Sequence, residues 1–193
     1  MKRLAAFLVI LALSTGAAAR HRSSSHGIDP TAPAGSATLT NVTATVAFSP
    51  RGRGQQLIVD AINGAKSQVL VQAYGFSNKA ILAALTGAKA RGVEVKVILD
   101  KSNDRGKYSG ATYMANAGVP VWIDYSVSIA HNKVMVIDQA SVITGSYNFT
   151  EAAQNSNAEN VLYLQNVPSL AQLYIQDWNW RQSKSRSYAN HAN

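Results

Sequence analysis

The apolar residues of this chain change their spacing again and again, and that alternation constrains the fold more than any other feature. Thr43 to Phe48 reads as a strand. Gln55 to Ala65 then places Ile58, Ala61, Ile62 and Ala65 on one helical face. Gln68 to Tyr74 is a second strand, and Ser77 is the expected N-cap of a helix carrying Ile81, Ala84, Leu85 and Ala88, closed by Gly92. Val93 to Leu99, Val119 to Ile123 and Glu159 to Leu164 are further strands, with a helix inside the polar stretch before Val119 and another from near Ser169. Lys133 to Ile137 and Ser141 to Tyr147 read as a tight pair. Helices alternating with strands, ending in a hairpin, predict an α/β fold: a mixed β-sheet sandwiched by helices.

The N-terminus predicts a compartment. Lys2 and Arg3 precede the apolar run Leu4 to Leu13, and Ala17-Ala18-Ala19 supplies small residues for cleavage. That is the layout of a secretory signal peptide over 1–19. The run is too short to span a bilayer, so no stable membrane insertion is expected. Residues 20–38, rich in Ser, Pro, Gly and Ala, read as a flexible spacer, and 39–193 as one domain. The sequon Asn148-Phe149-Thr150 would place a glycan among the candidate site residues below, so a bacterial periplasm or exterior fits better than a eukaryotic secretory route.

Composition narrows the chemistry. Cysteine is absent, which removes disulfides, thiolate catalysis and every Cys-based zinc site. No H-E-x-x-H and no acidic cluster of the two-metal kind is present either, so the reading includes no metal and no cofactor. Eighteen Lys+Arg against ten Asp+Glu give a formal charge of +8, which favours an anionic partner. Arg51, Arg53, Lys101, Arg105 and Lys107 are candidate contacts to a nucleic-acid backbone; solvated turns are the equally good reading of both groups. Trp178 and Trp180 read as packing residues rather than base-stacking platforms.

One constellation carries chemistry: His131, Lys133, Asp138, Gly145, Ser146 and Asn148. On strands, residues two apart share a face, so His131 projects with Lys133 and Ser146 with Asn148. A hairpin turning at Gln139-Ala140 would set His131 opposite Asn148 and Lys133 opposite Ser146, within about 5 Å across the strands. Imidazole, ammonium, hydroxyl and amide would then surround a site the size of a phosphate. Asp138 lies at the other end, beside the turn, and reads as structural.

These residues spell H-x-K-x4-D-x6-G-S-x-N, which resembles the HKD signature of the phospholipase D superfamily. Six identities at fixed spacing arise by chance about once in 10⁸ starting points. The segment Ser128 to Leu164 is similar to a subgroup of small bacterial endonucleases with one motif per chain, and Glu159 matches the acid that follows their motif. The resemblance implies a histidine that attacks phosphorus and a second histidine that protonates the leaving oxygen, then activates water. It implies that Lys133, Asn148 and Ser146 bind the non-bridging oxygens. Glu159 would accept from the far nitrogen of the imidazole, fixing its orientation. Gly145 would give the backbone room near the phosphate.

Two histidines are needed and one motif is present. His21 and His26 fall in the spacer and His191 in the tail. A homodimer bringing both copies of His131 into one site at its two-fold axis is therefore expected. The expected activity is metal-independent hydrolysis of nucleic acid, DNA with RNA as a further substrate, with little sequence preference. The alternatives are a phospholipase D-type lipid phosphodiesterase and a non-catalytic, basic nucleic-acid-binding envelope protein.

Overall fold

The computed structural model describes residues 34–104, 106 and 109–189. The leader, most of the spacer, Arg105, Lys107 and His191 lie outside them. Parallel strands need apolar side chains on both faces, and the sequence supplies them in unbroken runs. β2 (Gln68–Ala73) is buried at every position but the first, and β3 (Glu94–Asp100) at all but Glu94 and Lys96. β4 (Val121–Asp124) continues the parallel set. The remaining strands are β1 (Thr43–Ser49), β5 (Lys133–Ile137), β6 (Ser141–Gly145), β7 (Glu159–Gln165) and the two-residue β8 (Arg186–Ser187). Together they form one mixed eight-stranded sheet in the order β1-β7-β6-β5-β2-β3-β4-β8.

The two faces are covered unequally. α1 (Gly54–Gly64), α2 (Lys79–Ala90), α3 (Gly110–Asn116) and the short α4 (Glu151–Asn155) pack on one face. Ile58, Ile62, Ile81, Leu85 and Met114 are fully buried there against Val71, Val97, Met135 and Ile143. Burying each such side chain contributes about 1.5–3 kcal/mol, which is how a chain without disulfides holds together. The opposite face carries α5 (Pro168–Lys184), whose Ala171 and Trp178 pack on Leu70, Ile98, Val134 and Val136. The Trp178 indole N–H donates to the Val71 carbonyl at 3.0 Å. Trp180 differs: it is half-buried and carries the Arg181 guanidinium 4.7 Å from its ring centroid. Beyond the reach of α5, the β1 residues Val46 and Phe48 are 53% and 62% exposed.

Two local expectations need correcting, and two short elements had not been expected. The α2 N-cap is Asn78, not Ser77; the buried Asn78 side chain accepts from the Ile81 amide at 3.1 Å. α4 and β8 carry no sequence signal strong enough to reveal them, being five and two residues long.

The second correction is the β5–β6 hairpin. Met135 pairs with Ile143, Val136 with Val142 and Ile137 with Ser141. The connection is therefore Asp138-Gln139-Ala140, with Asp138 and Gln139 in the left-handed region, and not a two-residue turn at Gln139-Ala140. Continued toward the site, this register sets Lys133 opposite Gly145, one residue away from the expected Ser146. Asp138 turns its carboxylate toward the α1–β2 connection, while its own amide donates to the Gln68 carbonyl at 2.9 Å. It accepts from the amides of Lys66 (2.9 Å), Ser67 (2.7 Å) and Gln68 (3.0 Å) and from the Ser67 hydroxyl (2.9 Å).

Candidate active site

The strand directions bring the motif to one edge. β2 and β3 end at the edge where β5 and β7 begin and where β1 and β6 end. The hub is the end of β2. Ala73 pairs with Lys133, the Tyr74 amide donates to the Asn132 carbonyl at 3.0 Å, and the Phe149 amide donates to the Gly75 carbonyl at 3.0 Å. One stretch, Ala73-Tyr74-Gly75, thus gathers both halves of the motif.

The second half arrives by a bend, because the strand register does not deliver it. Gly145 has φ +148, and a Cβ there would lie 2.2 Å from the Asn160 carbonyl oxygen, so glycine is required twice over. β6 ends at that point. The Ser146 amide donates to the Asn160 carbonyl, and its exposed hydroxyl accepts from the Asn160 amide at 3.1 Å. Tyr147 turns inward and is 1% exposed, as its place between two motif residues predicts. Burial, reinforced by the nearby Glu151 and Glu159, pushes its phenol up to about 12 and keeps it a donor to Gln154 Oε1. Phe149 then bridges to Phe76 beside β2. Between them, Asn148 packs on Gly75, where an added Cβ would stand 3.3 Å from the Asn148 Cβ and 2.7 Å from Thr150 Cγ2.

The polar groups that meet here are incompletely engaged. Lys133 is 8% exposed, and its ammonium donates to the His131 carbonyl at 2.8 Å. Burial pushes the ammonium down from the usual lysine range, against the opposing charge of Glu159. Asn148 Oδ1 is buried and has no hydrogen-bond partner among the described residues. The His131 ring is exposed and lies against the Tyr74 ring, 4.8 Å between centroids. Glu159 is not bonded to that imidazole; its carboxylate accepts from Asn157 Nδ2 at 3.1 Å. The Lys133 ammonium and the Asn148 Nδ2 have donor capacity left among the described residues beside the exposed imidazole, whereas the buried Asn148 Oδ1 is an acceptor that lacks a donor. Such a site suits an anion that brings several oxygens.

Basic loops flank this edge. Arg51 and Arg53 are exposed after β1, and Lys101 is exposed after β3, its ammonium reaching the Val127 carbonyl at 3.3 Å. Arg186, at the start of β8, is a further exposed cation there, with its guanidinium over the Tyr125 ring. Arg181 does not join them, since it faces the fully buried Asp124 at 3.6 Å. Tyr74, Gly75, Asp100 and Asn103 also shape the site and were not singled out from sequence. Asp100 and Asn103 reach backbone groups of other residues, Gly75 acts through its backbone and Tyr74 lies against the His131 ring, contacts that leave no residue pattern to read.

A family described as "Cardiolipin synthase, PLD-like domain" matches residues 58–181, a span that contains the whole motif and Glu159. The chain belongs to the phospholipase D superfamily. It is 42% identical over 147 residues to a phospholipase D of Rickettsia bellii, covering 76% of this chain and 73% of that one. It is 27% identical over 134 residues to the mitochondrial cardiolipin hydrolase of Mus musculus, covering 68% and 60%. Among solved structures it is similar to Nuc of Salmonella typhimurium, a phospholipase D family member, with a TM-score of 0.74 and 37% identity over 77% of this chain and 99% of that one. NucT of Helicobacter pylori shares the fold, with a TM-score of 0.69 at 20% identity over 77% and 100%. The chain is accordingly a phosphodiesterase of this superfamily, a hydrolase on the mixed-sheet fold that its periodicity and motif predict.

Proposed function

We propose that this phosphodiesterase is a secreted, metal-independent endonuclease that hydrolyses DNA with little sequence preference through a phosphohistidine. The observation that carries the reading is the cluster at the end of β2: exposed His131, buried Lys133 and unpartnered Asn148. Arg51, Arg53 and Lys101 extend the positive charge along the same edge, in the manner of a site for a long anionic chain.

An imidazole nitrogen of His131 attacks phosphorus, forming a P–N bond as the bond to the leaving oxygen breaks. A second imidazole gives that oxygen its proton. It then takes a proton from water, whose oxygen attacks phosphorus and displaces His131. Lys133, Asn148 and Ser146 stabilise the charge on the non-bridging oxygens. No other described residue is a histidine, so His131 of the partner subunit is assigned as the second imidazole. Two features support a dimer: the single motif, and the exposed Val46–Phe48 strip on the thinly covered face, which ends beside Glu159 through the Ser49–Glu159 pair.

Lipid phosphodiester hydrolysis is the second reading. It is favoured by Ile129, 55% exposed and two residues before His131, an apolar contact at the mouth of the site. The test is cleavage of plasmid DNA, and of phosphatidylcholine and cardiolipin vesicles, by the wild type and His131→Asn in excess EDTA. Histidine-dependent nicking of DNA with vesicles left intact is expected. Vesicle hydrolysis without DNA cleavage would replace the first reading by the second. Light scattering should give twice the chain mass, and an active monomer would remove the shared-site assignment.

A further inference from the structure

We propose that Tyr74 is the positioning residue for the nucleophile, its ring serving as the platform that holds the His131 imidazole and faces the Lys133 ammonium. This inference rests on the reading of His131 as the attacking group. The Tyr74 ring lies 4.8 Å from the His131 ring, tilted by 52°, and the Lys133 Nζ lies 5.4 Å from the same Tyr74 centroid. The imidazole makes no hydrogen bond within the described residues, so this ring is what limits its rotation.

Tyr74 is itself held on both sides of its backbone. Its amide donates to the Asn132 carbonyl at 3.0 Å, and its carbonyl accepts from Asn103 Nδ2 at 2.6 Å. Asn103 Nδ2 also donates to the Asp100 carbonyl at 3.1 Å. The carboxylate of Asp100, 2% exposed, accepts from the Ser102 amide at 2.8 Å and from the Ala130 amide at 2.7 Å. The residues before and after His131 are therefore tied to the ends of β3 and β2, while its side chain is steadied by a ring from β2.

That arrangement meets what an attacking nitrogen needs. A freely rotating imidazole spends little time aimed at phosphorus, and a misplacement of about 1 Å can cost roughly 100-fold in rate. The negative face of the ring also favours a neighbouring cation, and so the positive charge that the imidazole gains as its nitrogen bonds to phosphorus. The device acts on turnover. Phosphate oxygens are gripped by Lys133 and Asn148, so substrate affinity should change little.

The experiment is steady-state hydrolysis of bis(4-nitrophenyl) phosphate in EDTA, a probe that needs no choice between DNA and lipid. Tyr74→Phe keeps the ring and is expected within about threefold of wild-type kcat. Tyr74→Leu is expected to lose roughly 10- to 100-fold in kcat, with KM within about threefold. The His131 ring protons, assigned by their loss in His131→Asn, should show an upfield ring-current shift that survives in Tyr74→Phe and vanishes in Tyr74→Leu. Asn103→Ala loosens the platform without removing it and should give a smaller kcat loss in the same direction, which tests the idea even if Tyr74→Leu fails to fold. Wild-type kcat in Tyr74→Leu, or equal losses in the Phe and Leu variants, would overturn it. Retained hydrolysis by His131→Asn would instead overturn the reading of the nucleophile.

Discussion

The β5–β6 hairpin carries motif residues at both ends, and the two ends are built on opposite terms. At the turn, Asp138 accepts four hydrogen bonds from Lys66, Ser67 and Gln68. Burial pushes its carboxyl up, but these donors outweigh burial and hold it below the usual carboxylate range. At the open end, Lys133 is buried with one carbonyl as acceptor, Asn148 Oδ1 has no partner, and the His131 ring is exposed. One signature therefore contains two kinds of residue. Those at the turn have their polar groups hydrogen-bonded, and those at the far end leave polar groups unpaired.

Substitutions at the open end should separate activity from stability. His131→Asn should lower phosphodiesterase turnover by about 10⁴-fold or more and leave the melting temperature within a few degrees of wild type. Lys133→Met should lower kcat/KM by roughly 10²- to 10³-fold, measured with bis(4-nitrophenyl) phosphate. Its melting temperature at pH 7 should be equal to or above that of wild type, because a buried charge has been removed. The sign follows from the lowered lysine pKa. The folded state is penalised while Lys133 is charged, and the penalty fades as pH rises through its folded pKa toward 10.5. Any stability advantage of Lys133→Met should therefore shrink in alkali. A variant less stable than wild type at pH 7 would break the contrast.

The turn should behave the other way. Asp138→Ala removes an acceptor shared by three amides and a hydroxyl and should cost about 3 kcal/mol in urea unfolding, with activity per folded molecule within about twofold. Because the folded pKa of Asp138 is depressed, its contribution is present above the model-peptide value of 3.8 and lost as pH falls through the folded one. The gap between wild type and variant should close in acid. The bend at Gly75 should give a smaller effect on catalysis. Gly75→Ala places a methyl against Thr150 and Asn148 and should lower kcat/KM roughly tenfold. Smallest of all, Arg51→Ala or Lys101→Ala should each reduce the salt-dependence slope of DNA binding by about one, with hydrolysis of the small substrate unchanged.

The signature was legible because its identities and spacing are unlikely by chance, and the strands around it because their apolar runs and alternation are strong. Asp138, expected on the strand beside the turn, is instead the first residue of the turn. The expected register slipped by one residue: Asp138 takes a left-handed backbone conformation and opens the turn, with its carboxylate bonded to the amides of Lys66, Ser67 and Gln68 some 70 positions away in sequence. With that slip the expected cross-strand route to Ser146 and Asn148 failed. The bend at Gly145 and the Phe149 contacts to β2 bring them in instead. The expected Glu159–imidazole hydrogen bond is likewise replaced by one from Asn157.

Local pattern determined what was local: the α/β class, the strand and helix order, and a signature that names the superfamily and its phosphoryl chemistry. Where the motif residues stand relative to one another was decided by tertiary structure. Most of the contacts that gather them involve a backbone group, of Ala73-Tyr74-Gly75 or of another element, and a backbone group is the same at every residue. Sequence records side chains, and so it shows which residues make up the signature, while the hydrogen bonds that place them form only once the sheet has closed around the end of β2.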